Sequence, residues 1–362
     1  MFAPKVLNIL IISNSLFVME VPSILLNRIL SEMAKKNGSD LHLAVGSSPM
    51  IRVDGKFSAM EGYEMMTSEI LSKISETFLS PEEIVKLKDN KSLVLVKNIA
   101  NFRFRINIFF QKGLLSLSFH YISSVIKSFP ELGLSESGAN FLKINSGLLV
   151  IAGAYNSGKT TTAVSFIEEI NKTSVKNIVT IEDPIECLFI SKQSLITQRQ
   201  VGSDVKTVID GLKYCFNEDV DIVYLNEIKD EEVFDQAMIK IFELASGNSL
   251  VILEINTDSS IKVLEKILAG VSRKMTPEAA RYNLADILAG VIVQKLVRKR
   301  GGGLALAGEI LLNNYAAKAL IREGKIYQLE SIMQTSKKEG MITMEKSLAN
   351  LIESGEVRRE DI

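Results

Sequence analysis

The segment Gly153-Ala154-Tyr155-Asn156-Ser157-Gly158-Lys159-Thr160 constrains this chain more than any other. It satisfies GxxxxGK[ST] between an apolar run, Leu148-Leu149-Val150-Ile151, and an amphipathic stretch from Thr161 to Ile170. In that context a buried strand feeds a tight turn that opens a helix. The glycines let successive backbone N–H groups face a phosphate, and the helix start adds its partial positive charge. Lys159 then bridges β- and γ-phosphates, the Thr160 hydroxyl ligates magnesium, and Thr161 completes the phosphate-facing set. The expected cofactors are therefore ATP and Mg2+. The loop alone does not say what the nucleotide's energy is used for.

Three further apolar runs, at Asn177–Ile181, Ile222–Leu225 and Leu250–Ile255, alternate with helix-length segments. Unbroken apolar runs suit strands buried on both faces of a parallel sheet, so this part of the chain reads as α/β. Two of the runs end in acid: Thr180-Ile181-Glu182-Asp183-Pro184-Ile185-Glu186, and Ile222 to Glu227. Carboxylates at the carboxyl ends of parallel strands beside a phosphate loop are placed to orient magnesium and the attacking water, which makes Glu182 and Glu227 catalytic candidates. Asp183 and Glu186 read equally well as loop charge.

Upstream, helical spacing from Val21 to Lys35 gives way to an alternating run at Leu41, Leu43 and Val45. A helical stretch around Ser68–Phe78 precedes strand-like segments at Ser92–Val96, Phe102–Phe110 and Leu114–Ile122. This is an α+β pattern over residues 19–122. Residues 123–134, with Pro130 and Gly133, read as a linker; 135–265 as the nucleotide-binding core; and 266–362 as a mainly helical region with a hairpin around Gly301-Gly302-Gly303.

Composition removes several alternatives. Of 362 residues, 42 are Lys or Arg and 43 Asp or Glu, a net charge of −1, so no global field draws the chain to nucleic acid. Cys187, Cys215, His42 and His120 are the only cysteines and histidines, too few and too scattered for a structural zinc site. The apolar run Phe2–Met19 is broken by Asn8, Ser13, Asn14 and Ser15, and it is shorter than the roughly 20 apolar residues of a membrane span. Residues 1–18 therefore read as a dispensable extension, with Met19 as an alternative initiator, and a cytosolic protein is expected.

Several motifs in order resemble the secretion ATPases that drive type IV pili, in particular the retraction motors of the PilT and PilU type. Gly38-Ser39-Asp40-Leu41-His42-Leu43, with Pro49 and Arg52-Val53-Asp54-Gly55, is similar to the family's "SDLHL…PP…R.DG". Phe102-Arg103-Phe104-Arg105-Ile106-Asn107 resembles "RFRVN", TIEDPIE around Glu182 the acidic box, and Gln198-Arg199-Gln200-Val201-Gly202 "QREVG". Glu131 to Gly133, Gly301 to Glu309 and Leu320 to Glu323 extend the likeness, which runs from about Met19 to Val357. The resemblance implies an α/β fold: a RecA-like P-loop ATPase domain preceded by a PAS-like α+β domain, with a helical C-terminal tail. It also implies a homo-hexamer or a mixed hexamer with a PilT-like paralogue, acting on an inner-membrane pilus platform protein from the cytoplasmic side to drive twitching motility. Arg103 and Arg105 become candidates for arginine fingers that reach the γ-phosphate.

The departures from the family pattern are equally specific. The histidine box "GHLVFGTLHT" aligns with Asn248 to Thr257, placing Ser249 and Asn256 at the histidine positions. "FRxI" has become Phe119-His120-Tyr121-Ile122, "GEMRD" has become Asn226-Glu227-Ile228-Lys229-Asp230, and Lys318 replaces an arginine. Asn and Ser carry no positive charge, and Lys lacks the planar guanidinium fork. An intact phosphate loop with these replacements suggests nucleotide binding better preserved than turnover. The alternative function is a weakly catalytic, nucleotide-binding subunit in a ring with an active paralogue. A pilus-extension or type II secretion ATPase is a third reading, disfavoured because such chains typically carry a four-cysteine zinc module.

Overall fold

The computed structural model describes residues 21–134, 138 and 140–362, so the extension expected over 1–18 and the start at Met19 lie outside the described residues. The chain divides into two compact units at Ile122/Ser123.

Among the described residues the first unit has three helices, α1 (Pro22–Lys35), α2 (Ser68–Glu76) and α3 (Pro81–Asn90). Its six strands are β1 (Gly38–Ala44), β2 (Met50–Val53), β3 (Lys56–Ala59), β4 (Ser92–Ile99), β5 (Phe102–Gln111) and β6 (Leu114–Ile122). They form one antiparallel sheet in the order β3-β2-β1-β6-β5-β4. Alternation sorts β5: Phe104, Ile106 and Ile108 enter the core with Leu26, Ile29 and Leu71 of the helices, while Arg103, Arg105 and Asn107 take the other face. Helices α2 and α3 start where their sequences cap them. Ser80 and Glu83 form a reciprocal capping box with Pro81 in the first turn, and Thr67 accepts from the Ile70 amide.

The second unit is built on a seven-stranded sheet of β7 (Gly147–Gly153), β8 (Asn177–Glu182), β9 (Leu195–Gln200), β10 (Ile222–Leu225), β11 (Leu250–Ile255), β12 (Leu288–Arg298) and β13 (Leu304–Leu312). Its order is β13-β12-β7-β11-β10-β8-β9, parallel throughout except for the antiparallel edge strand β13. One face carries α4 (Lys159–Thr173), whose Ala163, Phe166, Ile167 and Ile170 pack on Leu149, Ile151, Ile222 and Ile252. The other carries α5 (Val208–Cys215), α6 (Glu231–Ser246), α7 (Ser260–Val271), α8 (Pro277–Ile287), α9 (Tyr315–Glu323) and α10 (Leu329–Thr335), against Leu148, Val150, Val223 and Val251. The last helix, α11 (Met344–Glu353), packs by β13. Burial on both faces explains the continuous apolar runs.

Two sequence boundaries need correction. The core does not stop at 265: the hairpin expected around Gly301–Gly303 joins strands of 11 and 9 residues, and β12 is the direct parallel neighbour of the loop-bearing strand β7. The linker over 123–134 is also not free chain. Phe129 is buried against Phe166, with ring centroids 6.2 Å apart, and the Lys127 carbonyl accepts a hydrogen bond from the Ser165 hydroxyl, so the segment belongs to the second unit.

Phe166 thus joins α4, the sheet and the former linker in one contact set. Phe166→Ala is expected to destabilise the second unit by about 3–5 kcal/mol through lost burial and a residual cavity. Denaturant unfolding measured against the parent chain checks this.

Candidate active site

β7 runs buried along its whole length and ends at Gly153, where the chain must turn sharply into α4. Only glycine fits there. Its φ is 151°, and a Cβ would lie 2.3 Å from Ser157 Oγ and 2.5 Å from the Gln294 carbonyl oxygen. Asn156, at φ 61°, and Gly158, at φ 88° directly before Lys159, make two further left-handed steps. Between the two glycines Ala154, Tyr155 and Asn156 are exposed, whereas Ser157 is buried and its hydroxyl has no hydrogen-bond partner among the described residues. Helix α4 begins without a side-chain cap, unlike α5, α6, α7, α8, α9 and α11, which open on Thr207, Asp230, Ser259, Thr276, Asn314 and Thr343. Its first amides, the Ser157 hydroxyl and the left-handed glycines form a cradle suited to an anion of phosphate size.

At the head of α4, Lys159 is 6% exposed, and its ammonium donates to the Gly153 and Ala154 carbonyls at 3.0 and 3.1 Å. Glu227, just past the end of β10, brings a carboxylate oxygen to 3.9 Å from that ammonium. Thr160 turns the other way: its hydroxyl donates to Glu254 Oε2 at 3.1 Å. Thr161 is exposed, and Thr162 accepts from Gln294 Nε2 of β12 at 2.8 Å. The loop is thus gripped by both neighbours of β7, by β11 through Glu254 and by β12 through Gln294.

Glu182 closes β8 and is 1% exposed, accepting from Thr180 Oγ1 at 2.6 Å and Gln198 Nε2 at 3.3 Å. Burial pushes its carboxyl up to about 7, against the lowering effect of those two hydrogen bonds. Glu254 behaves alike: burial raises it to about 7, although Tyr224, Lys159 and Thr160 favour its ionised form. Strand register sets this layer. Tyr224 pairs with Thr180 and with Ile252, and stepping two residues onward on the same face reaches Glu182 and Glu254. Asn226 ties the β10 end to the acidic turn, accepting from the Asp183 amide at 3.1 Å.

The remaining sequence candidates fall elsewhere. Arg103 and Arg105 lie on β5 of the first unit, both partly buried. In that sheet His120 stands between Asp40 and Arg105, its Nδ1 2.9 Å from Asp40 Oδ1. Burial would raise the Asp40 carboxyl, but the hydrogen bond and charge of His120 hold it below its ordinary value. Ser249 does not belong to the nucleotide site. It precedes the amino end of β11, where its hydroxyl donates to the Val220 carbonyl at 2.6 Å, whereas Gly153 lies at the carboxyl end of the neighbouring parallel strand β7. Asn256 and Lys229 follow the carboxyl ends of β11 and β10 and are exposed, and Lys318 pairs with Asp286 at 2.7 Å.

Glu254, Tyr224 and Gln294 were not singled out from the sequence. The available signal was the one acidic residue within the apolar run Leu250-Val251-Ile252-Leu253-Glu254-Ile255. A carboxylate in a strand buried on both faces requires hydrogen-bond partners, and Thr160 and Tyr224 supply them.

The family model described as type II/IV secretion system protein matches residues 19–302. The chain belongs to that family. Among secretion system relatives, the type IV pilus retractation ATPase PilT of Pseudomonas aeruginosa is 31% identical over 338 residues, covering 93% of this chain and 96% of that protein. A twitching motility protein of Neisseria gonorrhoeae is 32% identical over 317 residues, covering 86% of this chain and 83% of that protein. The crystal structure of the pilus retraction motor PilT with bound ADP superposes with a TM-score of 0.77 at 32% identity, covering 92% of this chain and 95% of that one. This secretion ATPase fold therefore comprises the mixed α/β nucleotide-loop unit and the α+β unit before it.

The raised carboxyls have a stability consequence. The folded chain keeps the Glu182 proton up to about pH 7, whereas an ordinary glutamate releases it near 4.5. The stabilisation is complete below about 4.5 and is lost as pH rises through 7. The melting temperature of nucleotide-free protein should fall across this window. Glu182→Gln, neutral throughout, should reduce the slope; an unchanged slope would show that Glu182 is ionised in the fold.

Proposed function

We infer that this chain is the ATPase subunit of a type IV pilus retraction motor. The observation that carries the reading is the uncapped, glycine-turned loop at the head of α4, with a buried lysine and a strand-end glutamate 3.9 Å apart. Relatives whose names specify pilus retractation and twitching motility, similar over nearly the whole chain, supply the biological context.

The roles follow from chemistry. The amides of Gly153 to Thr161 and the Ser157 hydroxyl receive the β-phosphate. Lys159 exchanges its loop carbonyls for the β/γ-oxygens, a stronger charge-assisted contact. Thr160 supplies the hydroxyl that holds Mg2+, a hard-oxygen site completed by the nucleotide's own phosphates. Among the described residues no group of three or more His, Cys, Asp or Glu is placed to hold a metal. Magnesium, when bound, neutralises charge developing on the transferred phosphoryl group. Glu227 and Glu182 orient the attacking water, and Arg103 and Arg105 of the first unit act as arginine fingers.

Subunits of this kind assemble as a homo-hexamer or a mixed hexamer with a PilT-like paralogue, on the cytoplasmic side of an inner-membrane platform protein. A second reading, a weakly catalytic subunit beside an active paralogue, is favoured by exposed Asn256 and Lys229 just past the strand ends. Phosphate release by this chain alone and mixed with such a paralogue separates the two: recovery only in the mixture favours the second.

Lys159→Ala should abolish binding of a fluorescent ATP analogue, because the loop loses its cation toward the β/γ-phosphates. In the organism that encodes the chain, the same variant should leave pili extended and twitching lost. Unchanged affinity would contradict the assignment of the loop.

A further inference from the structure

Glu254 has an uncommon setting for a glutamate. It sits within β11, the strand adjacent to β7, is 3% exposed, and faces the root of the phosphate loop. Both carboxylate oxygens are engaged: Oε1 accepts from the Tyr224 hydroxyl at 2.6 Å and Oε2 from the Thr160 hydroxyl at 3.1 Å. Tyr224 is itself fully buried in β10, so its phenol is a fixed anchor rather than a mobile surface donor. The chain Tyr224–Glu254–Thr160 thus runs from β10 through its neighbour β11 to the first turn of α4, the helix that follows β7.

The direction of the last hydrogen bond matters. A threonine hydroxyl has one proton and two lone pairs. With the proton committed to Glu254, the lone pairs of Thr160 Oγ1 are directed away from the carboxylate and remain available to a cation. If the proton pointed toward the loop, the same oxygen would present a donor to the cation and repel it. A buried carboxylate is costly to keep for packing alone, since an apolar residue fills the space without a desolvation penalty.

We propose that Glu254 is a positioning residue for divalent-cation binding: held by Tyr224, it fixes the Thr160 hydroxyl with its lone pairs toward the magnesium that accompanies the nucleotide. The proposal rests on the nucleotide-binding reading of the loop and assigns no bond to the reacting atoms. Partners that orient a metal's ligands without touching it commonly alter metal affinity about 10- to 100-fold when removed.

The test is the affinity for a fluorescent ADP analogue, titrated in EDTA and again across a magnesium series, so that the magnesium-free and magnesium-dependent parts of binding are read separately. Wild-type protein should bind ADP more tightly with magnesium. Glu254→Ala should shift the magnesium midpoint upward by about 10-fold or more while leaving affinity in EDTA unchanged. Glu254→Gln, whose amide oxygen still accepts from Thr160, should restore most of the magnesium response. Tyr224→Phe, which keeps the ring in the core and releases only the anchor, should shift the midpoint in the same direction by less. That variant carries the test should Glu254→Ala fail to fold. Equal losses in EDTA and in magnesium would overturn the proposal in favour of a packing role. An unchanged magnesium midpoint in both Glu254→Ala and Tyr224→Phe would also overturn it. If wild type binds no ADP under either condition, the nucleotide reading falls and this one with it; magnesium-dependent binding that all three variants retain overturns this proposal alone.

Discussion

Every residue of β7 from Gly147 to Gly153 is buried, and this strand determines where the chain can make its functional turn. Because both faces are covered and both edges are paired, by β11 and β12, the strand cannot slide: a one-residue slip would exchange the two apolar faces. The loop therefore starts at one place, Gly153, with the Gln294 carbonyl oxygen close enough to forbid a side chain. The uncapped start of α4, the direction of Lys159 and the contact of Thr160 with β11 follow from that fixed point.

Along the carboxyl ends of the strands, polar side chains replace the apolar core in a defined layer. Thr180, Glu182, Tyr224 and Glu254 share the face that also receives α4. Burying two carboxylates there has an energetic cost, which the Thr180, Gln198, Tyr224 and Thr160 donors offset by hydrogen bonding. The fold thus keeps acidic groups next to the phosphate cradle, a placement that a chain selected for stability alone would fill with apolar side chains. The positive charge of Lys159 sits between this layer and Glu227, so the site's charge balance depends on a few buried groups.

Much of this was legible in the sequence. The phosphate loop was readable because strand, turn chemistry and helix coincide, and β7, β8, β10 and β11 because double burial produces uninterrupted apolar runs. What escaped depends on which strands become neighbours. Nothing local in Leu288–Arg298 announces that β12 pairs with β7, so the sequence pattern alone ends the sheet one hairpin early. Ser249 belongs to the right motif but the wrong end of its strand: six residues of β11 separate it from Asn256, so the two positions lie at opposite ends of that strand. Glu254 was visible only as an anomaly in an apolar run, and its partners came from β10 and α4. Phe129 turned the expected linker into core through an aromatic contact that Pro130 and Gly133 do not signal.

The central claim is that the loop and the acidic layer beside it make this chain an ATPase. The most direct measurement is steady-state phosphate release from ATP by the purified chain, with and without magnesium, using Lys159→Ala protein as the blank. The account predicts magnesium-dependent release above that blank. It also predicts a reduced rate in Glu227→Gln protein that still binds nucleotide. Release no greater than that of Lys159→Ala, from wild-type protein that remains folded and binds ATP, would contradict it.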